Sequence, residues 1–205
     1  MIPLTHVSGL VLAGGQGRRM QAGGAATVEK GLMLLHERPL VAWATTALPP
    51  GLAATYISAN RHHERYSAYG TVVPDDPLLG DDPGPLGGVV SAMQVMTTPW
   101  LYVVPADVPC PPCNVLERLL QCVSAHACRL AYACSDRPQP LFMLVHSVML
   151  DDLRGYLQGG MRQVQRWQRD AGRAVTFHQD NNEFFNINTQ EDLCRAHQLI
   201  PPRRG

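Results

Sequence analysis

Residues 9–13 read Gly-Leu-Val-Leu-Ala without one polar side chain, and a glycine-rich stretch, Gly14-Gly15-Gln16-Gly17-Arg18-Arg19-Met20, follows at once. A strand that is apolar at every position must be covered on both faces, the situation of an inner strand in a parallel sheet. Short apolar runs of this kind alternate with amphipathic segments along most of the chain. The pattern predicts strands over 8–13, 54–59, 71–73, 100–104, 129–134, 141–145 and 174–177. Helices are predicted between them, over 39–48, 62–69, 87–96, 114–124, 147–157, 161–170 and 189–199. The last opens on Thr189-Gln190-Glu191-Asp192, a capping-box pattern in which the threonine oxygen satisfies free N–H groups of the first turn, and Pro201-Pro202 stop it.

Strand-helix alternation implies right-handed crossovers and a largely parallel sheet sandwiched between helices. No repeat, low-complexity tract or linker divides the 205 residues, so a single domain is expected over 1–205. Hydrophobic residues make up 45% and charged residues 17%, enough apolar material for a sizeable core. Seventeen basic side chains balance seventeen acidic ones, which leaves no basic footprint for nucleic acid and no polybasic membrane patch. No apolar run approaches the ~20 residues of a membrane helix. The start shows no charged segment of an export signal, and six cysteines are too sparse for a disulfide scaffold. A cytoplasmic protein with reduced thiols is expected.

In such sheets ligands bind beyond the carboxyl ends of the strands, so the residues there are the candidates. Gly14-Gly15-Gln16-Gly17 lets backbone N–H groups approach phosphate oxygens, with Arg18 and Arg19 adding charge; a plain glycine turn is the other reading. Neither G-x-x-x-x-G-K-[ST] nor G-x-G-x-x-G fits. Lys30 is the one lysine among seventeen basic residues and follows Gly23-Gly24-Ala25-Ala26; it is a phosphate contact or a solvated loop residue. Asn60 closes the second strand; the His62-His63 pair beside it lacks metal-ligand spacing, since successive side chains diverge. Asp75, Asp76, Asp81 and Asp82 surround Pro83-Gly84-Pro85-Leu86-Gly87-Gly88, either as a solvated acidic loop or recruited to a cation or to ligand donors. Asp107 ends the apolar strand over 100–104 and suits either a turn cap or Mg²⁺, which takes a carboxylate or two plus phosphate oxygens and water. Cys110-Pro111-Pro112-Cys113 sits between strand and helix as a thiol-disulfide motif would, though mid-chain and without two further zinc ligands at useful spacing.

The order of these motifs resembles that of the molybdenum cofactor guanylyltransferases over essentially the whole chain. The match runs through Leu12-Ala13-Gly14-Gly15 with Arg18-Arg19-Met20, then Lys30-Gly31-Leu32, Ser58-Ala59-Asn60-Arg61 and Asp76. It continues through Pro83-Gly84-Pro85-Leu86-Gly87-Gly88, Asp107-Val108-Pro109 and Phe185-Asn186-Ile187-Asn188-Thr189. The resemblance implies a three-layer α/β/α Rossmann-like nucleotidyltransferase fold with a mainly parallel, mixed sheet. It implies transfer of GMP from GTP to the phosphate of molybdopterin, with release of pyrophosphate. By that similarity Leu12, Ala13, Gly14, Gly15, Asn60 and Asp76 hold GTP, Arg19 and Lys30 meet its phosphates, and Asp107 carries Mg²⁺. Asn186 and Asn188 fall on the molybdopterin side, in the C-terminal part. Transient encounters with molybdoenzyme apoproteins or their chaperones would follow.

One spacing departs from the family, which commonly reads Met-Gly-Gly-x-Asp-Lys. Here Met20 and Lys30 stand ten apart, Gln21 replaces the first glycine and Glu29 stands in place of aspartate. Loop insertions are cheap in closure entropy, so the fold tolerates this one, and the place of Lys30 becomes a question for the structure. Rival expectations are a nucleotidyltransferase for another acceptor (cytidylyl or sugar-phosphate), a thiol or zinc module built on Cys110 and Cys113, and a GTP-retaining regulator.

Overall fold

The computed structural model describes residues 2–14, 29–177 and 183–202. In chain order the strands are β1 (Val7–Leu12), β2 (Leu34–Leu35), β3 (Arg38–Pro39), β4 (Thr55–Ser58), β5 (Thr71–Val73), β6 (Trp100–Pro105), β7 (Leu130–Cys134), β8 (Pro138–His146) and β9 (Arg173–Thr176). The helices are α1 (Leu40–Thr45), α2 (His63–Tyr66), α3 (Pro85–Val95), α4 (Val115–His126), α5 (Leu150–Gln158), α6 (Val164–Ala171) and α7 (Gln190–Leu199). Each strand and helix expected from the sequence has its counterpart, and the capping box of α7 is formed by Thr189 and Asp192.

Among the described residues seven strands make one sheet in the order β5-β4-β1-β6-β8-β7-β9. Among the described residues β8 alone runs against the others, pairing antiparallel with both β6 and β7, so the sheet is mixed and mainly parallel. Alternation along the strands sorts their side chains to two faces. Val7 and Val11 of β1 join Trp100, Tyr102 and Val104 of β6 beneath α1 and α4. Leu10 joins Leu101 and Val103 on the other face, beneath α3, α5 and α6. The three-layer α/β/α expectation holds.

A third apolar cluster lies apart from both faces. The β2–β3 hairpin, α1 and α7 close on one another through Leu35, Leu40, Trp43, Ile187, Leu193, Ala196 and Ile200. The Trp43 indole N–H donates to the Leu35 carbonyl at 3.0 Å, so its one polar group is satisfied inside the cluster. The hairpin was not expected from the sequence. Among the described residues no helix is long and apolar enough to cross a membrane.

Candidate active site

The parallel register brings four strand ends into line. Leu12 of β1 stands beside Ser58 of β4 and Pro105 of β6, and Ser58 stands beside Val73 of β5. Backbone bonds carry the pairing one residue further: Ala13 N–H donates to Ser58 O, Ala106 N–H to Leu12 O, and Ala59 N–H to Val73 O. Gly14, Asn60, Asp75 and Asp107 each lie two residues past these aligned positions. All four therefore emerge on one edge of the sheet, where they line a cleft of about 700 Å³.

Helix α3 begins at this cleft, with Gly84 and Pro85 in its wall. Its N-terminus presents the positive end of the helix dipole to an anion. The approach is close because residue 88 is glycine: a Cβ there would lie 2.2 Å from Ser58 Oγ and 2.8 Å from Ser58 Cβ. A bulkier residue would push α3 away from the strand ends.

Lys30 reaches the cleft despite the long spacing from Met20. Its Nζ donates to Asp107 Oδ2 at 2.5 Å and to Asn188 Oδ1 at 2.7 Å. The residues around it explain the placement. Glu29 is buried and its Oε1 pairs with Arg61 Nη2 at 2.6 Å, while its carbonyl accepts the Leu32 N–H at 3.0 Å. Gly31 lies so close to Tyr66 that a Cβ would meet the hydroxyl at 2.7 Å. Burial, with the negative charge of Glu29 next, holds that Tyr66 hydroxyl far above the usual phenol range. The segment entering the site is thus fastened at Glu29 and Gly31.

Two neighbouring aspartates have different surroundings. Asp75 exchanges a pair of bonds with Asn60: its Oδ2 accepts from Asn60 Nδ2 and its N–H donates to Asn60 Oδ1, both at 2.8 Å. Burial raises the Asp75 pKa, Asn60 opposes the rise and Asp82 adds to it. Asp76 also lines the cleft, but its carboxylate accepts from Gln94 Nε2 and from the Leu78 N–H, each at 2.9 Å, capping the turn at Pro77–Leu79. Those two bonds lower its pKa. The resemblance matches Asp76 to the nucleotide, whereas Asp75 is the carboxylate joined to Asn60. The Asn60 side chain, fifteen residues earlier, was the signal available.

Asp107 is also placed to hold a cation. Its Oδ1 is buried with no hydrogen-bond partner among the described residues, while Oδ2 takes the lysine. A second hollow of about 750 Å³ adjoins the cleft, sharing Pro105 and Leu141 with it. Arg137, Phe185, Asn186, Asn188 and Arg195 line this hollow, and the Arg195 guanidinium lies 5.3 Å from the centre of the Phe185 ring. Ile187 N–H donates to Asp107 O at 2.9 Å, which fastens the 183–189 segment to the end of β6.

Other expectations fall elsewhere. Gly15 and Arg19 lie outside the described residues. His62 and His63 are exposed, and among the described residues no group of three or more His, Cys, Asp or Glu side chains could hold a metal ion together. Cys110 is half-buried and Cys113 exposed, both as free thiols, and neither lines the cleft.

Comparison with known proteins gives the family. The family model for the MobA-like NTP transferase domain matches residues 9–173. A molybdenum cofactor guanylyltransferase from Cupriavidus taiwanensis is 36% identical over 204 residues, spanning 97% of this chain and 99% of its own. One from Vibrio parahaemolyticus is 34% identical over 200 residues, with 97% and 99% covered. Among solved structures, molybdopterin-guanine dinucleotide biosynthesis protein A from Archaeoglobus fulgidus shares the fold, with a TM-score of 0.74 at 24% identity over 93% of this chain and 97% of that one. A strand-end cleft, a lysine-aspartate pair and sequence similarity over nearly the whole length lead to one assignment: the chain belongs to the MobA-like NTP transferases and, within them, to the molybdenum cofactor guanylyltransferase family.

Proposed function

We propose that the protein transfers GMP from GTP to the phosphate of molybdopterin, with GTP in the strand-end cleft and the acceptor in the adjoining hollow. The observation that carries this reading is the meeting of Gly14, Asn60, Asp75, Lys30 and Asp107 at one sheet edge, beside a second hollow lined by arginines. An oxygen of the acceptor phosphate attacks the α-phosphorus in line. The bond from the α-phosphorus to the bridging oxygen breaks, and its electron pair leaves with pyrophosphate. Both reactants are anions, so catalysis rests on charge neutralisation and positioning and needs no strong base.

Each residue has a part in that account. Lys30 and the N-terminus of α3 offset phosphate charge, and Arg19 is assigned the same task from its place in the sequence. Asn60 orients Asp75, whose carboxylate accepts donors of the nucleoside; this role passes to Asp75 from its neighbour Asp76, which is engaged in its own turn. Asp107 would hold Mg²⁺ through Oδ1, and one carboxylate beside a triphosphate is a donor set that this ion favours. When bound, Mg²⁺ neutralises charge on the departing pyrophosphate. Arg137 and Arg195 face the acceptor, and Phe185, backed by Arg195, offers a flat surface for its pterin ring. The single unit over 1–205 works in the cytoplasm and passes its product to molybdoenzyme apoproteins or their chaperones.

The test is a thermal melt of the full chain with each of the four NTPs and Mg²⁺. A ligand that binds the native state stabilises it by mass action, so GTP is expected to raise the melting temperature and the others to leave it in place. Equal shifts with CTP or UTP would move the reading to another acceptor class.

A further inference from the structure

Similarity assigns Asn188 to the acceptor, yet its side-chain oxygen accepts a bond from Lys30, 158 residues earlier in the chain. Asn188 is held in place by its surroundings. Its own N–H and that of Thr189 donate to Asp192 Oδ2 at 3.0 and 2.9 Å, and the preceding Ile187 is fully buried and bonded to Asp107 O. The amide oxygen therefore stands as a fixed acceptor on one side of the Lys30 ammonium, with Asp107 Oδ2 as the other. An ammonium carries three donors, of which two are committed among the described residues.

We propose that Asn188 is a positioning residue for the nucleotide, acting through Lys30. The inference rests on the reading that Lys30 meets the GTP phosphates. A lysine side chain has four rotatable bonds and a compact charge, and with Asp107 as its one partner the ammonium would be free to turn about that contact. A second anchor, at 2.7 Å beside the 2.5 Å contact to Asp107, fixes the direction of the ammonium and reduces what is lost in ordering it for a phosphate. The anchor is an amide for a physical reason: it accepts a hydrogen bond without cancelling the positive charge. The acceptor-side segment thus helps to build the nucleotide site before any acceptor arrives.

Binding of GTP and Mg²⁺, measured by titration calorimetry on the full chain without acceptor, tests this. Lys30→Ala and Asn188→Ala should each weaken GTP, the latter by about threefold to tenfold, the scale of ordering one long side chain. The double variant should bind no more weakly than Lys30→Ala alone, because Asn188 would have nothing left to act through. Asn188→Asp, which keeps the oxygen but adds a charge, should bind GTP more weakly than Asn188→Ala. In the transfer assay the KM for GTP should rise more than the acceptor KM in Asn188→Ala, a split that general loosening of the acceptor-side segment would not give. Unchanged GTP affinity in Asn188→Ala with a raised acceptor KM would overturn the proposal and return Asn188 to the acceptor. Additive losses in the double variant would overturn it as well. Unchanged affinity in Lys30→Ala would instead overturn the phosphate contact beneath it.

Discussion

Asp107→Asn exchanges one carboxylate oxygen for an amide nitrogen and removes one charge. In the native site Oδ2 accepts the Lys30 ammonium at 2.5 Å, and Oδ1 is a buried oxygen with no hydrogen-bond partner among the described residues. An amide presents an oxygen in one direction only. With that oxygen toward Lys30, N–H donors face the place of the cation; turned the other way, N–H donors confront the ammonium. Either orientation forfeits a charge-assisted interaction of about 1.5–3 kcal/mol, and turnover should fall at least ~100-fold, about 2.7 kcal/mol of barrier. Stability should change far less. The side chains of Lys30 and Asp107 keep 14% and 19% of their surface exposed, which screens the pair, and Asn188 continues to hold the lysine. A loss of about 1 kcal/mol lowers the melting temperature of a chain this size by roughly 2–4 °C. The assay is pyrophosphate release with GTP, Mg²⁺ and molybdopterin, alongside a thermal melt of each protein. Turnover within a few-fold of the unaltered protein would refute the argument and make Asp75 the next cation candidate.

Asp75→Asn should separate stability from binding. The folded-state pKa of Asp75 is raised by burial, so its contribution to stability is full below its unfolded value and is lost as pH rises through the folded one. The variant should therefore melt at or above the native temperature near pH 7, lose that advantage below about pH 4, and bind GTP more weakly in calorimetry; a lower melting point at pH 7 would contradict the desolvation argument. Gly88→Ala should destabilise the fold by about 1–3 kcal/mol in urea denaturation, because the new methyl group overlaps Ser58 and forces α3 outward. Native-like stability there would mean that the contact between α3 and β4 is looser than described.

Much of the site was legible because its parts sit at strand ends, and buried strands announce themselves by unbroken apolar runs such as Leu101-Tyr102-Val103-Val104. Asp107 and Asn60 follow from that rule alone. Asp75 and Asp76 could not be ranked, since adjacent carboxylates differ only in where the backbone points them and in which partner arrives, here Asn60 for one and Gln94 for the other. The β2–β3 hairpin escaped notice because two-residue strands carry no periodicity, and its turn is made by His36 and Glu37, both at positive φ without a glycine to mark it. The Lys30–Asn188 bond was beyond reach for another reason: nothing local in the sequence joins residues so far apart, and the third apolar cluster brings them together.

That cluster bears on how such an enzyme could be re-targeted. The family model ends at residue 173, which invites a view of the remaining tail as an exchangeable acceptor module. Yet Ile187, Leu193, Ala196 and Ile200 of the tail are packed against Leu35, Leu40 and Trp43 from near the other end of the chain. A graft that brought a foreign tail would set new side chains against an old hairpin and leave Lys30 without its second anchor. A transplanted tail would have to carry at least residues 29–45 with it, two pieces separated by most of the sequence. In this fold a change in the tail calls for a matching change in the hairpin, a pair of distant edits.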